Sequence, residues 1–206
     1  MHPIKRKELW IAELTLLIAA GLQLTISKQL IIGPKYMVAA LLLVLTVAIA
    51  FTAPKRHVPG TKSHVPLATL LIAIVSIANA GELALLTKAL INGSGIAGKT
   101  LLSGALAIFL TNIIVFGLWY WELDSPGLSG RHKRRVDDFQ FPNSDDKDWQ
   151  PLFFDYLYVS LTNSTAFSPT DTMPLTHLAK ALMSVQALIA LLTVVLVTAR
   201  AVNILG

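Results

Sequence analysis

The sequence predicts an all-α integral membrane protein with five transmembrane helices and a re-entrant helix and loop before the last of them. Three observations predict it. Five apolar stretches are long enough to cross a bilayer, which needs about 20 residues at 1.5 Å rise each. Of the 206 residues, 54% are hydrophobic and 14% charged, and mean hydropathy is +0.62. Soluble domains carry about 25% charge. Finally, a short apolar run, a polar turn and a long last helix follow one another, the order of a re-entrant loop.

The first stretch is Leu9–Ser27, preceded by Lys5, Arg6 and Lys7. It lacks a small-x-small cleavage site and reads as a retained helix. The second, Tyr36–Ala53, opens after Gly33-Pro34 and closes at Pro54. The third is Pro66–Thr87. The fourth, Thr100–Trp121, ends in Trp119-Tyr120-Trp121, which suits a membrane interface. The last is Ala181–Ala199. Residues 1–99 form a three-helix N-terminal region, and residues 100–206 form the module that holds the unusual segment.

Residues 122–148 are the one long polar segment. Arg131, Lys133, Arg134 and Arg135 are followed by Asp137, Asp138, Asp145, Asp146 and Asp148. It is too short and polar for a separate domain and reads as one loop. Trp149-Gln150-Pro151 then reads as a helix start, with Pro tolerated in the first turn. Leu152 to Leu161 is apolar and aromatic but only ten residues long. Such a helix crosses half a bilayer. Non-helical backbone at membrane depth survives only where it is buried in protein or lines water.

With no cysteine in the chain, disulfides, thiolate metal sites and a cysteine nucleophile are excluded. The net charge of +5 reflects basic loops at a membrane surface, since no basic stripe with interleaved aromatics marks a nucleic-acid face. No Walker loop, dinucleotide fingerprint, H-E-x-x-H or metal-spaced cluster of His and carboxylates occurs. The chain is read as no enzyme, with no catalytic residues, cofactor or metal.

Tyr158-Val159-Ser160-Leu161-Thr162-Asn163-Ser164-Thr165-Ala166-Phe167-Ser168-Pro169-Thr170-Asp171 is followed by Pro174 and Thr176. This segment resembles the pore loop of potassium-type tetrameric cation channels. Tyr158, Ser160, Thr162, Thr165 and Asp171 coincide with that pattern without a gap. It also resembles the C-terminal region of an uncharacterised family of bacterial multi-pass membrane proteins with a Y-x-S-x-T loop ending in Asp. The resemblance spans residues 100–203 and is specific over about 25 of them. It implies a homotetramer in the bacterial inner (plasma) membrane that passes monovalent or divalent cations. Thr165, Ala166, Phe167, Ser168, Pro169, Thr170 and Asp171 would line or bind in the pore.

One departure limits that implication. Ser168-Pro169-Thr170 replaces Gly-Tyr-Gly. Glycine allows the φ > 0 that aims successive carbonyls at an ion, whereas Pro169 holds φ near −65°. The expected filter is therefore a ring of hydroxyls and a few carbonyls with Asp171 near one mouth, weakly selective among cations. The competing account treats Ser, Thr, Pro and Asp as ordinary turn residues between two helices.

Glu82 lies inside the third stretch near Asn79. An intramembrane carboxylate is costly and marks a functional site by default. With Asn112 and Gln186 it forms a second candidate site, for an ion or a proton in a coupled transporter. The plainer account is a paired Glu that holds the bundle together against Asn112 or Gln186. Gln23 and Gln186 are expected to hydrogen-bond between helices. A third reading of the chain is a non-conducting scaffold or assembly protein.

Trp149, Phe153, Phe154, Tyr156 and Tyr158 make an aromatic band, either a cuff around a filter or an interfacial belt. His177 sits by the expected mouth. Lys5 to Lys7, Lys55 to Lys62 and Arg131 to Arg135 fall on one side if five helices alternate. The positive-inside rule then puts the N-terminus and the mouth of the re-entrant loop on the cytoplasmic side. That orientation resembles ionotropic glutamate receptors and is inverted relative to potassium-type channels.

Overall fold

A hydrocarbon environment leaves backbone amides no partner but each other, so long apolar runs fold as helices. The computed structural model describes residues 6–52, 65–92, 95–124, 137–144, 146, 149–165 and 171–205. Its elements are α1 (Arg6–Thr25), α2 (Met37–Thr52), α3 (Val65–Ile91), α4 (Gly98–Leu123), β1 (Phe139–Gln140), α5 (Phe153–Ser164), β2 (Met173–Pro174) and α6 (His177–Leu205). A 3-10 turn, Lys28–Leu30, follows α1. Gly33 takes φ +87° in the turn into α2, a conformation that L side chains resist.

Among the described residues, three helices are long and apolar enough to cross a membrane: Leu67–Ile91 in α3, Gly98–Leu123 in α4 and His177–Arg200 in α6. They define a helical membrane protein. The apolar parts of α1 and α2, Leu9–Thr25 and Met37–Phe51, are shorter. The 16 residues of α2 rise about 24 Å, against hydrocarbon about 30 Å thick.

Helix α4 is the hub, packed by α1, α3, α5 and α6. Of its span 72% is buried, against 22% of the α6 span. Two directions follow from its neighbours. Near the end of α4, Trp119 Nε1 donates to Ser76 Oγ at 2.9 Å. Near its start, Leu101, Ala105 and Ile108 cluster with Leu83 and Leu86 of α3 and with Ile26, Leu30 and Ile31, and Leu196 and Val197 of α6 pack on that cluster. So α3 and α6 both run antiparallel to α4, and α1 finishes where α4 starts. The bundle thus has a Leu101 end and an Asp124 end. The other core cluster draws on α1 to α6 together, so residues 1–99 and 100–206 share one core.

Two helix boundaries differ from the sequence reading for local reasons. Helix α5 starts at Phe153, after Pro151, because Asp155 Oδ2 accepts the Leu152 N–H at 2.6 Å, the carboxylate half of a capping box. Helix α6 starts at His177 instead of Ala181, because Thr176 Oγ1 accepts the Ala179 N–H at 3.2 Å.

Candidate functional site

Helix α5 has 12 residues, a rise of about 18 Å. Contacts along α4 fix its depth. Tyr156 OH donates to Asp124 Oδ2 at 2.6 Å, at the very end of α4. At the next residue α5 crosses Gly117, about two turns back along α4, where a Cβ would lie 3.2 Å from Leu157 Cα. Such close backbone approach needs a small residue at this crossing. Ser160 Oγ then donates to the Ile113 carbonyl at 2.6 Å. From Asp124 to Ile113 is eleven residues of α4, about 16 Å. Helix α5 therefore starts at the Asp124 end and stops near the middle of α4.

The chain is back at the Asp124 end by Met173. Strand β2 pairs antiparallel with β1, Phe139 opposite Pro174 and Gln140 opposite Met173. The Leu175 N–H donates to the Asp138 carbonyl at 2.9 Å, and Thr176 Oγ1 donates to the Asp138 carboxylate. The Asp138 N–H in turn donates to Asp124 Oδ1 at 2.8 Å. Asp124 thus ties together the ends of α4, of the polar segment and, through Asp138, the start of α6. Phe139 and Phe141 seal this point against Tyr156, at ring separations of 6.4 and 5.3 Å.

A buried amide locks α5 to α6. Gln186 Nε2 donates to Ser160 Oγ at 2.6 Å, to Ser164 Oγ at 2.8 Å and to the Ser160 carbonyl at 3.0 Å. Gln186 Oε1 accepts from Tyr120 OH and from Asn163 Nδ2, the latter at 2.8 Å. Asn163 Nδ2 also donates to the Met183 carbonyl at 2.9 Å. Side chains of α4, α5 and α6 converge on one Gln that is fully buried. Asn163, which also fits a glycosylation acceptor pattern, is engaged here.

A second polar layer lies between α1, α3 and α4. Gln23 Nε2 donates to Glu82 Oε2 at 3.0 Å, and Glu82 is fully buried. The Trp119–Ser76 bond sets the α3–α4 register, which brings Asn112 within about a turn of the level of Glu82. Asn79 is one turn before Glu82 on the same helix. Among the described residues, Gln23 Oε1, Glu82 Oε1, Asn79 Oδ1, Thr111 Oγ1 and both polar atoms of the Asn112 amide are buried without a hydrogen-bond partner. Unpartnered buried polar atoms cost about 1–3 kcal/mol each, so such a layer is retained against a stability cost.

Of the sequence-derived pore residues, Thr165 closes α5, and its hydroxyl turns back to the Leu161 carbonyl at 2.9 Å. Asp171 is exposed. Ala166, Phe167, Ser168, Pro169 and Thr170 lie outside the described residues. The hydrogen-bond partner of Glu82 is Gln23, while Gln186 bonds to residues of α4 and α5. The aromatic band divides. Phe153 and Tyr156 are fully buried, with Phe153 5.0 Å from the Trp121 ring, whereas Phe154 and Tyr158 are exposed and Trp149 is half-buried against Phe141. His177 is exposed at the start of α6.

Sequence reasoning did not assign Asp124, Asp138, Asn163 or Tyr120 to a site. One signal was available: an acidic residue at a helix C-terminus opposes the helix dipole and so needs a specific partner. Comparison of the chain with protein-family models, with curated proteins and with solved structures finds no match.

Proposed function

We propose that the protein is a channel-like membrane protein whose segment 149–173 re-enters the membrane from the Asp124 end, four copies forming a weakly selective cation path around a shared axis. One observation carries the reading. Helix α5 begins at Asp124, stops beside the middle of α4, and the chain is held again at Asp124 through Asp138 and Thr176. On this reading α1 and α2 also lie across the bilayer, α1 against α4 and α2 against α1 and α3, their outward Leu14, Leu17, Val44 and Val47 facing lipid. Asp171 stands at the mouth and Thr165 further in, and the resemblance to a pore loop would add the hydroxyls of Ser168 and Thr170 to the lining.

The faces left open on α5 and α6 support assembly. Phe154, Tyr158 and Leu161 recur at helical spacing on the exposed side of α5, and Leu188, Leu191, Leu192 and Val195 are exposed on α6. In a tetramer such faces meet neighbouring copies around the axis. The Gln186 lock would keep each α5 at a fixed angle to its α6, as a shared pore requires.

Recording from purified protein in planar bilayers tests this. Discrete cation currents that change with Asp171→Asn and Pro169→Gly are the expected result. A silent bilayer from a folded tetramer contradicts conduction, and a strictly monomeric particle contradicts the shared axis.

A second reading rests on the unpartnered oxygens around Glu82. They offer a cation or proton site of the kind found in ion-coupled transporters. If so, Glu82→Gln stops transport, whereas a pore lined by residues 165–171 still conducts.

A further inference from the structure

Below the depth where α5 stops, α4 and α6 face each other directly. They leave an open groove of about 340 Å³. Leu102, Leu106 and Phe109 of α4 and Val194, Val197 and Thr198 of α6 line it, and almost all of its surface is apolar. A smaller cavity of about 20 Å³ adjoins it through Leu102, Ala105 and Val197 and is bounded by Arg200. The Arg200 Nε is buried with no hydrogen-bond partner among the described residues. An apolar slot that ends at a guanidinium with a free Nε–H has the two halves of a lipid site: a seat for an acyl chain and a donor for an anionic headgroup.

Charge indicates which occupant fits. The Leu101 end carries Lys28, Lys35, Lys88, Lys99 and Arg200, the four lysines all exposed. Segments 24–36, 83–92, 95–121 and 172–205, which build this end and the lower groove, contain no Asp or Glu. A second copy standing in the same orientation would bring the same acid-free surface to this depth. It could fill the slot but could not pair Arg200.

We infer that the groove between α4 and α6 binds an anionic phospholipid, one acyl chain along Leu102, Leu106 and Val197 and the phosphate on Arg200. This goes beyond the channel reading and does not depend on it, because it uses only the lower half of α4 and α6.

The test is native mass spectrometry of the detergent-purified protein after exposure to an equimolar mixture of phosphatidylglycerol and phosphatidylcholine with identical chains. The wild type is expected to retain the anionic lipid about fivefold over the neutral one, the ratio that one basic residue near an anionic headgroup supports, about 1 kcal/mol. Arg200→Gln is expected to lose the preference. Leu106→Trp, which fills the groove and leaves Arg200 intact, is expected to lower retention of the anionic lipid. Equal retention of both lipids by the wild type overturns the proposal without any variant. An unchanged preference in Arg200→Gln overturns it as well. So does a shift in particle mass in Leu106→Trp with lipid retention unaltered, which would make a second copy the occupant.

Discussion

Gln186 Nε2 lies 2.6 Å from Ser160 Oγ, and Ser160 Oγ lies 2.6 Å from the Ile113 carbonyl, so one hydroxyl joins α6 to α5 and α5 to α4. Hydrogen bonds between membrane helices average about 0.6 kcal/mol and reach about 1.7 kcal/mol. A Gln engaged with Ser160, Ser164, Asn163 and Tyr120 should exceed any single pair. Gln186→Leu is expected to destabilise the fold by about 2 kcal/mol and Ser160→Ala by about half that, read as thermal unfolding in detergent. Equal, negligible shifts in both would mean that packing alone holds α5 in place.

Removing the Tyr156 hydroxyl strips a buried donor from the Asp124 carboxylate. Tyr156→Phe is expected to cost about 2 kcal/mol, in the range for a hydrogen bond to a charged group. The loss should be local. Limited proteolysis should cut between residues 125 and 148 faster than in the wild type, while α4 and α6 stay protected. Unchanged cleavage would show that the ring packing of Phe139 and Phe141 suffices.

Gly117 is where α5 comes closest to the α4 backbone. An added Cβ lands 3.2 Å from Leu157 Cα, tighter than ordinary contact but within reach of a small shift. Gly117→Ala should therefore cost little, whereas Gly117→Leu should overpack the crossing by roughly 1–3 kcal/mol and displace α5. A changed elution position for Gly117→Leu, with Gly117→Ala eluting as the wild type, is the expected pattern in size-exclusion chromatography. Indifference to both would place the two helices further apart.

Much of the fold is legible in the sequence because hydropathy alone reports it. The α3, α4 and α6 runs announce themselves by length, and α5 by being too short. The polar connections are not legible in the same way. Gln23 and Glu82 are 59 residues apart, and their pairing depends on how α1 and α3 are rotated about their axes. Asp124 and Asp138 look like any loop carboxylates until the chain folds back on α4. Gln186 and Glu82 appear as one set of intramembrane polar residues. Their depths and helix faces send them to different partners, and only packing determines those.

Glu82 separates the two functional readings. Glu82→Gln keeps an acceptor and a donor opposite Gln23 and is expected to leave the fold and any current intact. Gln23→Leu removes the only hydrogen bond found for Glu82 among the described residues and is expected to lower the melting temperature. Transport lost in Glu82→Gln from a folded protein would favour the carrier reading.

Side-specific labelling of single introduced cysteines tests the re-entrant account most directly, because the chain has no cysteine of its own. Positions 140, 171 and 92 serve, in the polar segment, after α5 and between α3 and α4. A membrane-impermeant thiol reagent should reach Gln140→Cys and Asp171→Cys from the same side of sealed vesicles and Asn92→Cys from the other. Labelling of Asp171→Cys from the side of Asn92→Cys would mean that the chain after Gln140 crosses the bilayer completely, and would contradict the account.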